Sequence, residues 1–173
     1  MRLFQGCVYR AHNPCWSFNV LSGDGAKRYG GRFNAKGVPA LYTSLTPAVA
    51  FAEYQQGFSH RPQPTLLCAY EVDCEDILDL TNEGILRTYN IMQSDLSCAW
   101  EVLAQDKKPS PSWLLADALI ERGVAGIIVP SFAKNAPYGG KNLVFWRWGE
   151  TRPHKVTVYD DFSRLPTNQS SWE

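Results

Sequence analysis

The apolar stretches of this chain are short, and glycine and proline separate them. Thirteen glycines and eleven prolines are spread over 173 residues. Most gaps between strand-like runs are too small to hold a right-handed helical crossover, so neighbouring strands have to pair largely antiparallel. The strand-like runs cover residues 6–10, around Cys7, Val8 and Tyr9, then 39–43, 65–72 (TLLCAYEV), 125–129, 142–148 and 155–159, with 77–80 as an extension of the third. That makes ~6 strands.

Helix signals are fewer but carry their own punctuation. Thr46 followed by Pro47 reads as an N-cap with proline in the first turn, opening AVAFAEYQQ, which Gly57 would end. Residues 98–105 read as a short helix. Ser110–Pro111 repeats the cap signal ahead of SWLLADALIERG, with Gly123 as the stop and Trp113, Leu114, Ala118 and Ile120 on an apolar face. Residues 22–37 contain Gly23, Gly25, Gly30, Gly31 and Gly37 and read as a structured loop. The expected fold class is α+β, with a mostly antiparallel sheet flanked by short helices. Without a repeat or a long linker, residues 1–173 are expected to form one domain, and 164–173 a polar tail that frays or packs on a partner.

Charge narrows the function classes. Seventeen Lys and Arg balance seventeen Asp and Glu, so no net field draws in a polyanion, and direct nucleic-acid binding is not expected. The N-terminus lacks the apolar run of a signal peptide, and no stretch of ~20 apolar residues could span a bilayer, which predicts a cytoplasmic protein without a membrane partner. Five cysteines with no C-x-x-C pair predict reduced thiols. His12, His60 and His154 lie far apart in sequence, without ligand spacing, so no metal is expected.

Among the polar residues Glu53 is the most informative. Ala50 and Val49, three and four positions before it, place it on an apolar helical stripe, where a carboxylate must meet a cation or line a cleft. A structural salt bridge and a catalytic carboxylate are both open at this point. Arg10 on the first strand and Arg28 and Arg32 in the loop KRYGGRFN are the cations that could answer it. Arginine forks also bind phosphate oxygens in pairs. Tyr29 and Tyr42 offer flat faces for a ring, or pack at the edge of the core. Ser131 follows one strand and Asn142 opens the next, where side chains either reach a site mouth or fix a turn.

The blocks YRA (9–11), RYGGRFN (28–34), ALYTS (40–44), TPAVAFAEY (46–54) and VPS…KNLVF (129–145) together resemble the RES domain, named for its Arg, Glu and Ser. The likeness spans nearly the whole chain. It implies a fold like that of ADP-ribosyltransferases, with NAD+ as the substrate. It also implies the role of toxin in a toxin–antitoxin pair, in which the partner is a Xre-type helix-turn-helix antitoxin and the complex can hold a toxin homodimer. Arg10, Arg32, Tyr29, Tyr42, Glu53 and Ser131 fall on the family's motif positions, with Asn142 and Arg28 beside them. Glu53, Arg10 and Arg32 take the catalytic part, and Arg10 and Arg32 both stand as candidates for the arginine of the family name. The family includes hydrolases, phosphorolytic enzymes and transferases to protein, so the acceptor of ADP-ribose stays open. A family core commonly ends near the last strand, and here a tail from Arg164 to Glu173 follows.

Such a site would have to stabilise the positive charge that develops on the ribose carbon as neutral nicotinamide leaves. Glu53 suits that role, the arginines suit the pyrophosphate, Tyr29 or Tyr42 could stack on nicotinamide, and Ser131 could orient it. Two rival readings stand beside this one. A glycosidase would pair Glu53 with Glu71 or Asp73. A catalytically silent module would use the chain's six tryptophans as a docking surface.

Overall fold

The computed structural model describes residues 1–56 and 61–170. Six strands, β1 (Arg2–His12), β2 (Leu41–Ser44), β3 (Leu66–Asp79), β4 (Gly126–Pro130), β5 (Lys141–Phe145) and β6 (His154–Val158), form a sheet of order β1-β2-β5-β4-β3-β6. Because β1 also pairs with β3, the first five strands close into a ring, and β6 lies alongside β3. Every pairing is antiparallel except β3 with β4. The chain between those two strands is long enough for a crossover, and it holds α3 (Glu83–Tyr89), α4 (Gln93–Ser97), α5 (Trp100–Gln105) and α6 (Pro111–Glu121). The α+β class follows directly.

Strand alternation sorts the core into two clusters. On β5, Leu143 and Phe145 join Val8, Leu41, Tyr70, Val72 and Ile128 in one cluster, while Val144 turns the other way. On β4, Ile127 and Val129 join Val144 in a second cluster with Leu86, Leu96, Ala116 and Leu119 from the crossover helices. Both strands are therefore buried on both faces, which is why their sequences read as continuous apolar runs.

β3 is one strand of 14 residues where the sequence suggests a strand and a separate extension. Its register against β1 slips between the Arg2–Ile77 and Phe4–Cys74 pairs, and Asp76 sits there at a φ of 60°. This is a bulge, an extra residue that bends the strand. On one side of it β3 pairs with β6, on the other with β4.

Several boundaries differ from expectation. β1 runs well beyond residues 6–10 at both ends, and a short helix, α1 (Asp24–Tyr29), forms inside the glycine-rich loop. α3 and α4 were not anticipated. α3 is started by Asn82, whose side chain accepts from the Gly84 and Ile85 amides, and ended by Asn90 in the left-handed region. In α6 the buried positions are Ser112, Ala116 and Leu119, whereas Leu114 is 58% exposed and Ala118 also faces solvent. The expected face was displaced because a polar residue, Ser112, belongs to the buried one. The tail is not wholly frayed: the Asp160 carboxylate accepts from the Arg164 and Leu165 amides, and Leu165 packs on the core. The expected helix stop at Gly57 lies outside the described residues. No helix among the described residues is long and apolar enough to cross a membrane.

Phe145 is fully buried and pairs with both β2 and β4. Replacing it with alanine opens a cavity in the ring, and Phe145→Ala is expected to cost about 3–5 kcal/mol, read as a lower urea midpoint with an unchanged slope.

Candidate active site

The ring is nearly open at one seam, since β1 and β2 touch through a single pair, Tyr9 opposite Ser44. Immediately after β2 the chain enters α2 (Pro47–Gln55), started as expected by Thr46, whose hydroxyl accepts from the Val49 amide, with Pro47 in the first turn. Val49, Ala50 and Ala52 are buried, so the helix lies close over β1 and β2.

The same placement brings Glu53 over the seam. Its Oε1 accepts from Ser131 Oγ at 2.6 Å and from Asn142 Nδ2 at 2.6 Å, and its Oε2 accepts from Gln56 Nε2 at 2.5 Å. Asn142 is fixed from behind, because buried Ser44 donates to its Oδ1 at 2.7 Å. Ser44, Asn142 and Val129 are direct neighbours across three strands. Ser131 reaches the same carboxylate because the loop after β4 lies close against α2. Gly140 permits this approach, since a Cβ there would stand 2.8 Å from Val49 Cγ2. Glu53 is thus held by neutral donors, not by the cation expected as one of its two possible partners; it lines a cleft.

Arg10 and Arg32 reach the clefts from different segments, β1 and the loop after α1. Arg10, on β1, donates through Nη1 to the carbonyls of Val20 and Ser22, each at 3.1 Å. Burial pulls its pKa below the ordinary arginine value, with Tyr70 and Cys68 acting in the other direction. Arg32 donates to the Cys98 carbonyl at 2.7 Å, and its guanidinium lies 4.4 Å from the centre of the Phe132 ring. Burial lowers its pKa too, opposed by Cys98, Glu53 and Glu101 among others. The salt bridges among the described residues involve neither arginine. Among the described residues both cations donate to carbonyl oxygens and neither forms an ion pair, an arrangement that favours an incoming anion.

The loop carrying Arg32 is held rigidly. Buried Asn34 donates to the carbonyls of Ala26 and Val38, each at 2.8 Å, and accepts from the Tyr42 hydroxyl at 2.7 Å. Ser112, Trp113 and Trp146 donate to the carbonyls of Arg32, Gly31 and Phe33. Gly31 is required by close approach, because a Cβ would stand 2.5 Å from the Tyr42 hydroxyl. That hydroxyl also accepts from the Phe33 amide, and burial raises its pKa, so only the ring of Tyr42 is free to meet a ligand.

Two adjoining clefts share Arg10, Tyr42, Glu53 and Asn142. The smaller, about 250 Å³, adds Tyr9, Thr43, Ser44 and Tyr54. The larger, about 480 Å³, adds Tyr29, Arg32, Gln56, Trp100, Glu101 and Phe132. Of the residues singled out from the sequence, Ser131 holds Glu53 without lining either cleft, and Arg28 lies exposed outside both, its guanidinium 5.5 Å from the Tyr29 ring. Ser44, Gln56, Asn34, Trp100 and Glu101 were not singled out. Ser44 and Asn34 were visible in the quoted blocks ALYTS and RYGGRFN, while the last two sit on a predicted helix that carried no motif.

Residues 8–168 match the family model described as the RES domain. The chain belongs to the RES domain family. Its RES fold is similar to that in the crystal structure of the M. tuberculosis MbcT–MbcA toxin–antitoxin complex, with a TM-score of 0.63 and 22% identity, covering 92% of this chain and 84% of that one. No match is found among curated proteins. With the family established, the five blocks of the RES domain are seen to converge on one place, since YRA, RYGGRFN, ALYTS, the α2 segment and VPS…KNLVF all contribute to the Glu53 clamp or the cleft walls.

Behind Arg10, His12 is buried with Nε2 3.7 Å from Cys68 Sγ. Burial, reinforced by the Arg10 charge, lowers its pKa to about 4. The unfolded chain takes up this proton near pH 6.5 and the folded chain does so only near 4, so stability falls as the pH drops through that window. The loss attributable to His12 is up to about 3 kcal/mol. Urea midpoints measured from neutral to acidic pH should show this slope in the wild type and a flatter one in His12→Gln.

Proposed function

We propose that this RES domain is the toxin of a toxin–antitoxin pair and that it consumes NAD+ by breaking the nicotinamide–ribose bond. The observation that carries the reading is the Glu53 carboxylate, held by Ser131, Asn142 and Gln56 in clefts that also present Arg10 and Arg32, neither of them in an ion pair among the described residues. One fixed negative group and two desolvated cations are what a pyridinium dinucleotide needs, a counter-charge at the ribose and anchors at the diphosphate.

In this mechanism the bond between the ribose C1′ and the pyridinium nitrogen breaks, and its electron pair leaves on nicotinamide, which departs neutral. Glu53 stabilises the positive charge left on the ribose. Water or inorganic phosphate then adds to C1′, the proton of an attacking water passing to solvent. Oε2, which among the described residues accepts from Gln56 alone, is the oxygen that can exchange its partner for a ribose hydroxyl. Tyr29, 67% exposed at the cleft wall, and the ring of Tyr42 supply faces for the flat groups. Arg10 and Arg32 hold the diphosphate.

A Xre-type antitoxin as partner, a toxin homodimer within their complex and a cytoplasmic site of action complete the reading. That the structural neighbour is a toxin–antitoxin complex supports the antitoxin partner. The glycosidase reading loses ground, because Glu71 is paired with Lys155 at 2.6 Å and Asp73 with Arg152, and neither lines a cleft with Glu53.

The test follows nicotinamide release from NAD+ by the purified chain without antitoxin, with and without phosphate. Free ADP-ribose as product identifies a hydrolase, and a phosphorylated product formed only with phosphate identifies a phosphorylase. The absence of release in both conditions rejects these two and directs attention to a protein acceptor or a silent module. Glu53→Gln should lower kcat by about 10²–10³-fold. Wild-type turnover by this variant would remove Glu53 from the reaction.

Ser44 acts one step away, by fixing the Asn142 amide. Ser44→Ala is expected to lower kcat about tenfold with little change in KM, the loss of roughly one buried hydrogen bond, and Ser44→Thr should restore most of it. An equal loss in both variants would mark Ser44 as important for packing alone.

A further inference from the structure

The larger cleft is lined by a second carboxylate, Glu101, which does not line the smaller cleft and which the proposed reaction does not use. The order of groups follows from which cleft each one lines. Tyr9, Thr43 and Ser44 belong to the smaller cleft only, Arg10, Tyr42, Glu53 and Asn142 to both, and Arg32, Trp100 and Glu101 to the larger only. The shared residues therefore lie between the other two sets, with Arg32 close enough to feel both Glu53 and Glu101.

A nicotinamide dinucleotide has its own fixed order of nicotinamide, ribose, diphosphate, second ribose and adenine. With the reacting ribose at Glu53 and the diphosphate at Arg10 and Arg32, the adenosine half extends into the larger cleft, whose wall includes Trp100 and Glu101. Trp100 offers an indole face, tilted against Trp113 at a centroid distance of 6.4 Å. Glu101 is exposed, and among the described residues its carboxylate makes no hydrogen bond or ion pair.

We propose that Glu101 is a specificity-determining residue that accepts a hydrogen bond from the adenosine ribose and restricts the site to dinucleotides with an unphosphorylated 2′-hydroxyl, NAD+ and not NADP+. The inference rests on the NAD+-consuming reading given above. A carboxylate receives a ribose hydroxyl well and repels a 2′-phosphate, which carries close to two negative charges at neutral pH. Arg32, whose charge interacts with Glu101, is committed to the diphosphate in this reading and so does not supply a second phosphate site beside Glu101.

The experiment compares kcat/KM for NAD+ and NADP+, by nicotinamide release, in the wild type and in Glu101→Gln. The wild type is expected to prefer NAD+ by about 10²-fold or more, and Glu101→Gln to reduce that ratio at least about tenfold, through a higher KM for NAD+ and a lower one for NADP+. Similar kcat/KM values for the two dinucleotides in the wild type, or an unchanged preference in Glu101→Gln, would overturn the role of Glu101 while leaving NAD+ consumption intact. Release from neither dinucleotide would remove the parent reading and this one together.

Discussion

The amide of Asn142 joins parts of the molecule that have little else in common. Its oxygen is held by Ser44, at the one place where β1 and β2 touch, and its nitrogen is given to Glu53, on the helix that covers that place. An amide has a donor end and an acceptor end, so fixing one end fixes the other. The orientation of Glu53 is thereby set by the backbone register of the sheet, since Ser44 and Asn142 are opposed residues of β2 and β5. A site built on strand register is more precise than one built on loops, because strands held in a closed ring cannot slide independently.

Electrostatics at the site and at the surface follow different rules. Ion pairs such as Arg87 with Glu83 and Lys108 with Asp106 lie largely in solvent and contribute little to stability. Arg10 and Arg32 are withdrawn from water and answered by carbonyl oxygens and an aromatic ring. Among the described residues neither forms an ion pair, which leaves their charge open to a ligand. A balanced overall charge thus coexists with two arginines gathered at one pair of clefts.

What could be read in the sequence was mostly local. Thr46 and Pro47 mark the start of α2 because capping involves only neighbouring residues, and the apolar runs of β4 and β5 mark strands buried on both faces. The residues that build the candidate site, Glu53, Arg10, Arg32, Ser131 and Asn142, were also visible, the glutamate through its misfit with an apolar stripe. The partners of these groups were not. That Glu53 would meet a serine and two amides, that Tyr42 would give its hydroxyl to Asn34, and that β3 would pass through a bulge at Asp76 all depend on residues distant in sequence. The buried face of α6 was misjudged for a related reason, since Ser112 is polar yet finds its acceptor on the Arg32 loop. Hydrophobicity alone assigns such a residue to solvent.

The closed ring is mechanically uneven. β1 is bonded to β3 along almost its whole length and to β2 at one position only. Any breathing of the barrel therefore concentrates at the β1–β2 seam, where parting the walls breaks the least, while the ladder between β1 and β3 serves as the hinge line. The clefts border that seam, with Arg10 on one side and Tyr42 on the other. A molecule too bulky to enter through the resting mouth would need the two sides to part only there, and the rest of the sheet could keep its shape as it passed.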